Sequence, residues 1–316
     1  MTPGKHLPGT PEPSHFWRGY QGIRIAGDRW GDPAGTAVIL QHGGGQTRHA
    51  WKNTGEVLGE AGFHAVAFDA RGHGDSDWSP EGDYSQDAMV RDLSAVLEAL
   101  DIHQAVLVGA SMGGGTSLVA AGEQVVDALA LILVDVAPRI EPNGVQKIRD
   151  FMFRNPDGFA SLEEVADAIA SYQPHRTRPR NLNGLAKNVR LHDDGRYYWH
   201  WDPRLMSGPR DLASRERRLS NCARALQVPS LIVKGAMSDV LTEEGVQDYL
   251  QTAPRSEYLN IGGAGHMVAG DRNDLFGKAI VEYLTRPGLL GTVAISSVRR
   301  ADLIHRLDAS DLNDIP

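Results

Sequence analysis

Two kinds of segment alternate along the chain. Short, continuous apolar runs bounded by Gly, Asp or Pro lie at 37–41, 64–68, 105–109, 130–135, 230–234 and 257–261, as expected of strands buried on both faces. Residues 16–26 read as a hairpin. Between the runs, 50–61, 84–100, 111–121, 242–252 and 271–284 have helical spacing, and Met89, Leu93, Val96, Leu97 and Leu100 mark one buried face. Strand and helix in alternation predict an α/β fold, a mostly parallel central sheet with helices on both faces.

The rhythm breaks after Asp135 and resumes at Val228. The intervening 136–227 holds helical pieces such as 161–171, a Pro- and Arg-rich run at 174–180, and an aromatic knot of Tyr197, Tyr198, Trp199 and Trp201. This stretch is expected to form a helical cap inserted into one sheet domain built from 15–135 and 228–285. An insertion leaving a strand end emerges at the carboxyl edge of the sheet, where ligands bind in open α/β folds, so the cap would roof the site. Residues 1–14, with four prolines and no apolar stretch, read as a flexible arm and not as a secretory signal. The tail 286–316 contains one short helical stretch with Val298, Leu303, Ile304 and Leu307 on one side, and its role is not legible.

Composition narrows the function classes. A length of 316 residues suggests about two domains, and the broken rhythm turns this into one domain with an insertion. An apolar share of 41% with 23% charged residues excludes collagen-like and disordered classes. Forty acidic against 32 basic residues, net −8, speak against nucleic acid as a partner. No apolar run approaches the roughly 18 to 20 residues of a membrane span, so no membrane partner is expected. The lone Cys222 forms no intramolecular disulfide, and a reducing compartment, the cytoplasm, is the expected location. His64, His103, His192 and His200 show no metal-ligand spacing, so no metal is expected.

The candidate chemistry starts at Gly109-Ala110-Ser111-Met112-Gly113, a G-x-S-x-G pattern. The apolar run Ala105-Val106-Leu107-Val108 ends directly at Gly109, and a helix opening rich in small residues follows. A serine on so tight a turn takes a strained backbone, and its neighbours two positions away must lack bulk. A serine hydroxyl is a weak nucleophile at neutral pH and needs a base, which in turn needs an orienting carboxylate. Asp239 and His266 follow the two last strands in loops at the same sheet edge. Ser, then Asp, then His is the chain order of one hydrolase fold among several that use this triad.

These residues, with Gln41-His42-Gly43-Gly44 after the first long strand and Asp69-Ala70-Arg71-Gly72-His73-Gly74-Asp75-Ser76 after the next, make the chain resemble the α/β-hydrolase superfamily over 16–284. The resemblance implies a catalytic triad of Ser111, Asp239 and His266. It also implies an oxyanion hole from the Gly44 and Met112 amides, with Gly45 as the alternative to Gly44. Asp135 is the other position for the acid, since some members carry it after the preceding strand. His42 and His73 read as structural members of their turns. Ser-Met-Gly-Gly at 111–114 and Gly-Ala-Gly-His-Met-Val-Ala-Gly-Asp at 263–271 look most like capped serine carboxylesterases grouped with cofactor-free haloperoxidases and perhydrolases.

What this implies is hydrolysis of small carboxylic esters without a cofactor, peroxide sometimes replacing water as acyl acceptor. Haloalkane dehalogenases and epoxide hydrolases need a carboxylate at the elbow, and position 111 is Ser. A carbon-carbon hydrolase of ring-cleavage products stays open, although that family usually has Asn before the nucleophile where this chain has Ala110. A lactonase and a ligand receptor on a hydrolase scaffold also stay open. A compact cap with its Trp-rich knot suggests short acyl chains. Arg176, Arg178 and Arg180 read as a solvated loop. A homodimer through the cap or the C-terminal tail also stays open.

Overall fold

The computed structural model describes residues 3–173, 178, 182–206, 211–271 and 273–291. Its main sheet has eight strands. In chain order they are β1 (His15–Arg18), β2 (Arg24–Trp30), β3 (Ala37–Gln41), β4 (His64–Phe68), β5 (Gln104–Ala110), β6 (Asp127–Val134), then, after the short pair β7 (Val189–Leu191) and β8 (Tyr197–Trp199) of a separate hairpin, β9 (Ser230–Gly235) and β10 (Ser256–Ile261). The spatial order is β1-β2-β4-β3-β5-β6-β9-β10. The expected hairpin at 16–26 forms, with Trp17 opposite Ile25, and β2 runs antiparallel to both of its neighbours, β1 and β4. From β4 to β10 all neighbours are parallel.

Strand alternation explains why the central runs are apolar throughout. In β3, Ala37 and Ile39 join the core on one face while Val38 and Leu40 join the core on the other. In β5, Ala105 and Leu107 oppose Val106 and Val108 in the same way. The first face is covered by α2 (Gln86–Ala99) through Leu93, Val96 and Leu97, and by α3 (Met112–Gly122) through Leu118 and Val119. The second is covered by α1 (Lys52–Glu60) through Leu58 and by the last helix (Asn273–Leu284) through Phe276 and Ile280. The chain leaves β3 towards β4 on one side and returns to β5 on the other, so a topological switch point lies between β3 and β5.

The insertion differs from the sequence expectation in two respects. It contains α4 (Pro142–Phe153) and α5 (Leu162–Tyr172), but also the antiparallel hairpin β7-β8, which carries the aromatic knot and makes the cap mixed. The cap also ends earlier than residue 227. The helix α6 (Leu212–Ala225) buries Leu219, Cys222 and Ala223 in the sheet's own core against Leu118, Val119 and Ala120 of α3, so it belongs to the sheet domain. The cap has a separate core of Met152, Phe159, Val165, Val189, Trp199 and Trp201.

The N-terminal segment is docked, contrary to the flexible arm expected. Lys5 exchanges both backbone hydrogen bonds with Leu191 of β7, at 2.8 and 2.9 Å. His6 lies 3.1 Å from Asp75, and the Pro11 carbonyl accepts from Arg48 at 3.1 Å. Arg48 is fully buried and reaches Asp28, Asp69 and Asp75 at 2.8, 2.6 and 2.7 Å, while Arg190 of the cap hairpin reaches Asp75 at 2.7 Å. This buried cluster joins arm, cap and sheet, and breaking one member of such a group costs about 3 to 5 kcal/mol. The tail stretch with Val298, Leu303, Ile304 and Leu307 lies outside the described residues.

Candidate active site

Ser111 stands between β5 and α3 with φ 47° and ψ −108°, a region that costs a non-glycine residue on the order of 1 to 3 kcal/mol. Its surroundings hold it there. The Ser111 amide donates to the Val134 carbonyl at 3.1 Å, the Gly113 amide to the His42 carbonyl at 3.2 Å, and the Gly115 amide to the Ser111 carbonyl at 3.0 Å. The two flanking glycines are required by close approach. A Cβ on Gly109 would lie 2.4 Å from the Gly113 oxygen, and one on Gly113 would lie 2.4 Å from the Gln41 oxygen. The G-x-S-x-G pattern is thus the packing condition for β5, the elbow and α3 to meet beside β3.

His266 follows β10, and its Nδ1 lies 2.7 Å from Asp135 Oδ2. This corrects the choice of Asp239 as the acid. Asp135 is fully buried at the end of β6 with φ 51°, and its amide donates to the Val233 carbonyl of β9. Its carboxylate also accepts from the Gly235 amide at 2.9 Å and from Ser238 Oγ at 2.5 Å. Asp239 points elsewhere, in an exposed ion pair with Lys147 of α4 at 2.7 Å. The reason is the turn after β9. Ser238 Oγ accepts from the amides of Val240 and Leu241 while donating to Asp135, so residue 238 is drawn inward and residue 239 faces out. Ser238 escaped sequence reasoning, whereas Asp135, the acid directly after an apolar strand, carried a usable signal.

The amides of the glycine loop sort themselves by partner. Gly43 donates to Gln46 Oε1 at 2.9 Å and Gly45 to His73 Nε2 at 3.2 Å. Among the described residues the Gly44 amide has no protein acceptor, nor does that of Met112, the first residue of α3. Gly45, the alternative donor, is therefore committed to His73.

Three buried histidines scaffold this loop. His42 Nδ1 donates to the Gly43 carbonyl at 2.8 Å and Nε2 accepts from the Ala70 amide at 2.9 Å. His73 Nδ1 donates to the Arg71 carbonyl, and Nε2 takes the Gly45 amide. His200, between the two tryptophans of the cap, accepts from the Gly74 amide at 2.8 Å and donates to the Gly45 carbonyl at 3.4 Å. Each ring thus uses one donor and one acceptor and is neutral. Burial lowers all three, His73 to about 3 and His200 well below its ordinary value.

Stability follows with a definite sign. A histidine lowered on folding takes up its proton first in the unfolded chain, so its contribution is complete above about pH 6.5 and is lost as pH falls towards the folded value. Each such group removes up to about 1.4 kcal/mol per pH unit in that window. Urea midpoints are therefore expected to be level above pH 7 and to fall steeply between pH 6 and pH 4. A midpoint unchanged from pH 7.5 to pH 5 would contradict the neutral histidine scaffold.

Ser111, Met112, Gly44 and His266 open into one cavity of about 940 Å³ between sheet edge and cap. Trp199 and Trp201, stacked with centroids 4.9 Å apart, line it and also belong to the cap core, so the aromatic knot serves both. Arg178 pairs with Asp167 at 2.6 Å, as a solvated loop residue would, while Arg176 and Arg180 lie outside the described residues. Burial pushes the Cys222 thiol up to about 11, away from any nucleophilic role at neutral pH. Among the described residues no group of three His, Cys, Asp or Glu side chains could hold a metal, and no helix is long and apolar enough to cross a membrane.

Known proteins resemble this chain in sequence and in fold. The sequence profile of the α/β hydrolase fold matches residues 36–272. The chain is 30% identical over 274 residues to the esterase Rv0045c of Mycobacterium tuberculosis, covering 85% of this chain and 87% of that protein. The solved structure of that esterase superposes with a TM-score of 0.67 at 27% identity, over 87% of this chain and 92% of that one. A 3-hydroxybutyrate-oligomer hydrolase of Cupriavidus necator is 27% identical over 77% of this chain and 87% of its own length. With eight strands in this order, an elbow serine and a profile match across most of its length, the chain belongs to the α/β-hydrolase fold family.

Proposed function

We propose that this protein is a serine hydrolase of the esterase type that cleaves carboxylic esters through an acyl-enzyme at Ser111. The observation that carries the reading is the pairing of His266 Nδ1 with the buried Asp135 carboxylate, in the same cavity that holds the strained Ser111. The names of the relatives support the same class of reaction. His266 Nε2 takes the Ser111 proton as Oγ bonds to the ester carbonyl carbon. Asp135 holds the ring in the required tautomer and stabilises the imidazolium. The oxyanion is received by the Gly44 and Met112 amides, each such donor contributing about 3 to 4 kcal/mol to the transition state. His266 then passes the proton to the departing alcohol, and a water activated by the same ring releases the acid. With peroxide in place of water the released product is a peracid.

The cavity revises the expectation of short acyl chains. At about 940 Å³ it sits near the upper end of small-molecule pockets, and Phe151, Met152 and Leu205 contribute apolar walls. Each added methylene that is buried there contributes about 0.8 kcal/mol. From p-nitrophenyl acetate to butyrate, kcat/KM is therefore expected to rise about tenfold. Fastest turnover of the acetate would contradict this. Assaying the same esters beside lactones, with and without hydrogen peroxide, tests the class of reaction: turnover of lactones alone, or of none of these substrates, would overturn the esterase reading.

A further inference from the structure

The cavity carries polar groups beside its apolar walls, Asp83, Gln86 and Asp211 among them. Lys187, Asn188 and His49 all line it. Lys187 is half-buried, and among the described residues it forms no ion pair or hydrogen bond. Every other described lysine has a partner: Lys5 has Asp193, Lys52 has Glu56, Lys147 has Asp239, Lys234 has the Gly235 carbonyl, and Lys278 is also engaged. The cavity's arginines are engaged too, Arg204 with Asp202 and Arg215 with the Pro138 carbonyl. The His49 ring and the Asn188 side-chain amide likewise have no protein partner among the described residues. Lys187 lies close enough for its charge to help lower His49, which burial and Arg48 hold neutral, at about 4. Burial lowers Lys187 as well, with no carboxylate acting against it.

A partly desolvated ammonium without a counterion is costly, and pockets place such groups where a ligand's charge completes them. One cation flanked by two neutral donors suits a monoanion. We propose that Lys187 is a specificity-determining residue that pairs with a carboxylate on the substrate, so that the preferred esters carry a free acid besides the scissile ester. The inference rests on the esterase reading above and deepens it. The charge-assisted hydrogen bond would form in the ground state and the transition state alike and therefore acts on kcat/KM through KM.

The test uses mono-p-nitrophenyl esters of succinic, glutaric and adipic acids, each compared with its methyl-capped counterpart. For the chain length that reaches Lys187, the free acid is expected to exceed the capped ester in kcat/KM by about tenfold to a hundredfold. Lys187→Met should abolish that ratio, and Lys187→Arg, which keeps a cation, should preserve most of it. Because the ratio compares two substrates on one protein, a loss of folded enzyme does not imitate the effect. A ratio near one in the unaltered protein, or one equally large in Lys187→Met, would overturn the proposal while leaving ester hydrolysis intact. Absence of turnover for both members of every pair would instead overturn the esterase reading and this inference with it.

Discussion

Replacing Ser111 with Ala is expected to lower kcat by about 10⁶-fold, close to 8 kcal/mol, and His266→Ala by a similar factor. The size follows from the way the parts act together. Without Oγ no acyl-enzyme forms, and without the imidazole Oγ keeps its proton. What survives either loss is the polarising effect of the Gly44 and Met112 amides and the binding of substrate. The double variant should therefore be no worse than either single one, since both remove the same covalent step. Measuring kcat for the three variants on p-nitrophenyl butyrate checks this. A residual rate within about a hundredfold of the unaltered protein would place the chemistry on another residue.

The second large effect separates two carboxylates. Asp135→Asn is expected to reduce kcat by about 10⁴-fold, because an amide donating to His266 Nδ1 fixes the wrong tautomer and leaves no base at Nε2. Asp239→Asn removes only an exposed ion pair with Lys147, worth at most about 1 kcal/mol, and should leave kcat within about fivefold of its starting value. Asp135 also accepts from Gly235 and Ser238, so thermal unfolding of the Asn variant should be followed in parallel. A folded Asp135→Asn protein with full activity, or an inactive Asp239→Asn protein, would reverse the assignment.

The contrast between these two acids shows what the sequence carried and what it did not. Strands buried on both faces announced themselves as continuous apolar runs, and the elbow did so because Gly109 and Gly113 are required by backbone contact distances. Ser111 and His266 were legible for the same reason, each standing just beyond a strand end. Asp135 and Asp239 satisfy that rule equally well, and what decides between them is the turn in which Ser238 bonds to its own loop and to Asp135. Such a choice depends on side-chain direction, which spacing does not encode. The end of the cap was misplaced because α6 follows the insertion without a break, and only the packing of Leu219 and Cys222 on α3 assigns it to the sheet domain. His42 and His73 were readable as structural members of their turns, but the joining of a cap residue, His200, to the glycine loop of the sheet domain is a tertiary contact. Lys187 lies in a segment without hydrophobic period, and nothing local marks it as facing the cavity.

Covalent labelling offers the shortest route to the nucleophile. A fluorophosphonate reacts with a serine whose hydroxyl is activated by its base, the phosphoryl oxygen of the probe accepting from the amides meant for the oxyanion. Peptide mapping of the labelled protein is expected to show one adduct, on the peptide that carries Ser111, and none in Ser111→Ala. Hydrolysis of p-nitrophenyl butyrate by a protein whose Ser111 peptide stays unmodified under saturating probe would contradict an acyl-enzyme at this serine.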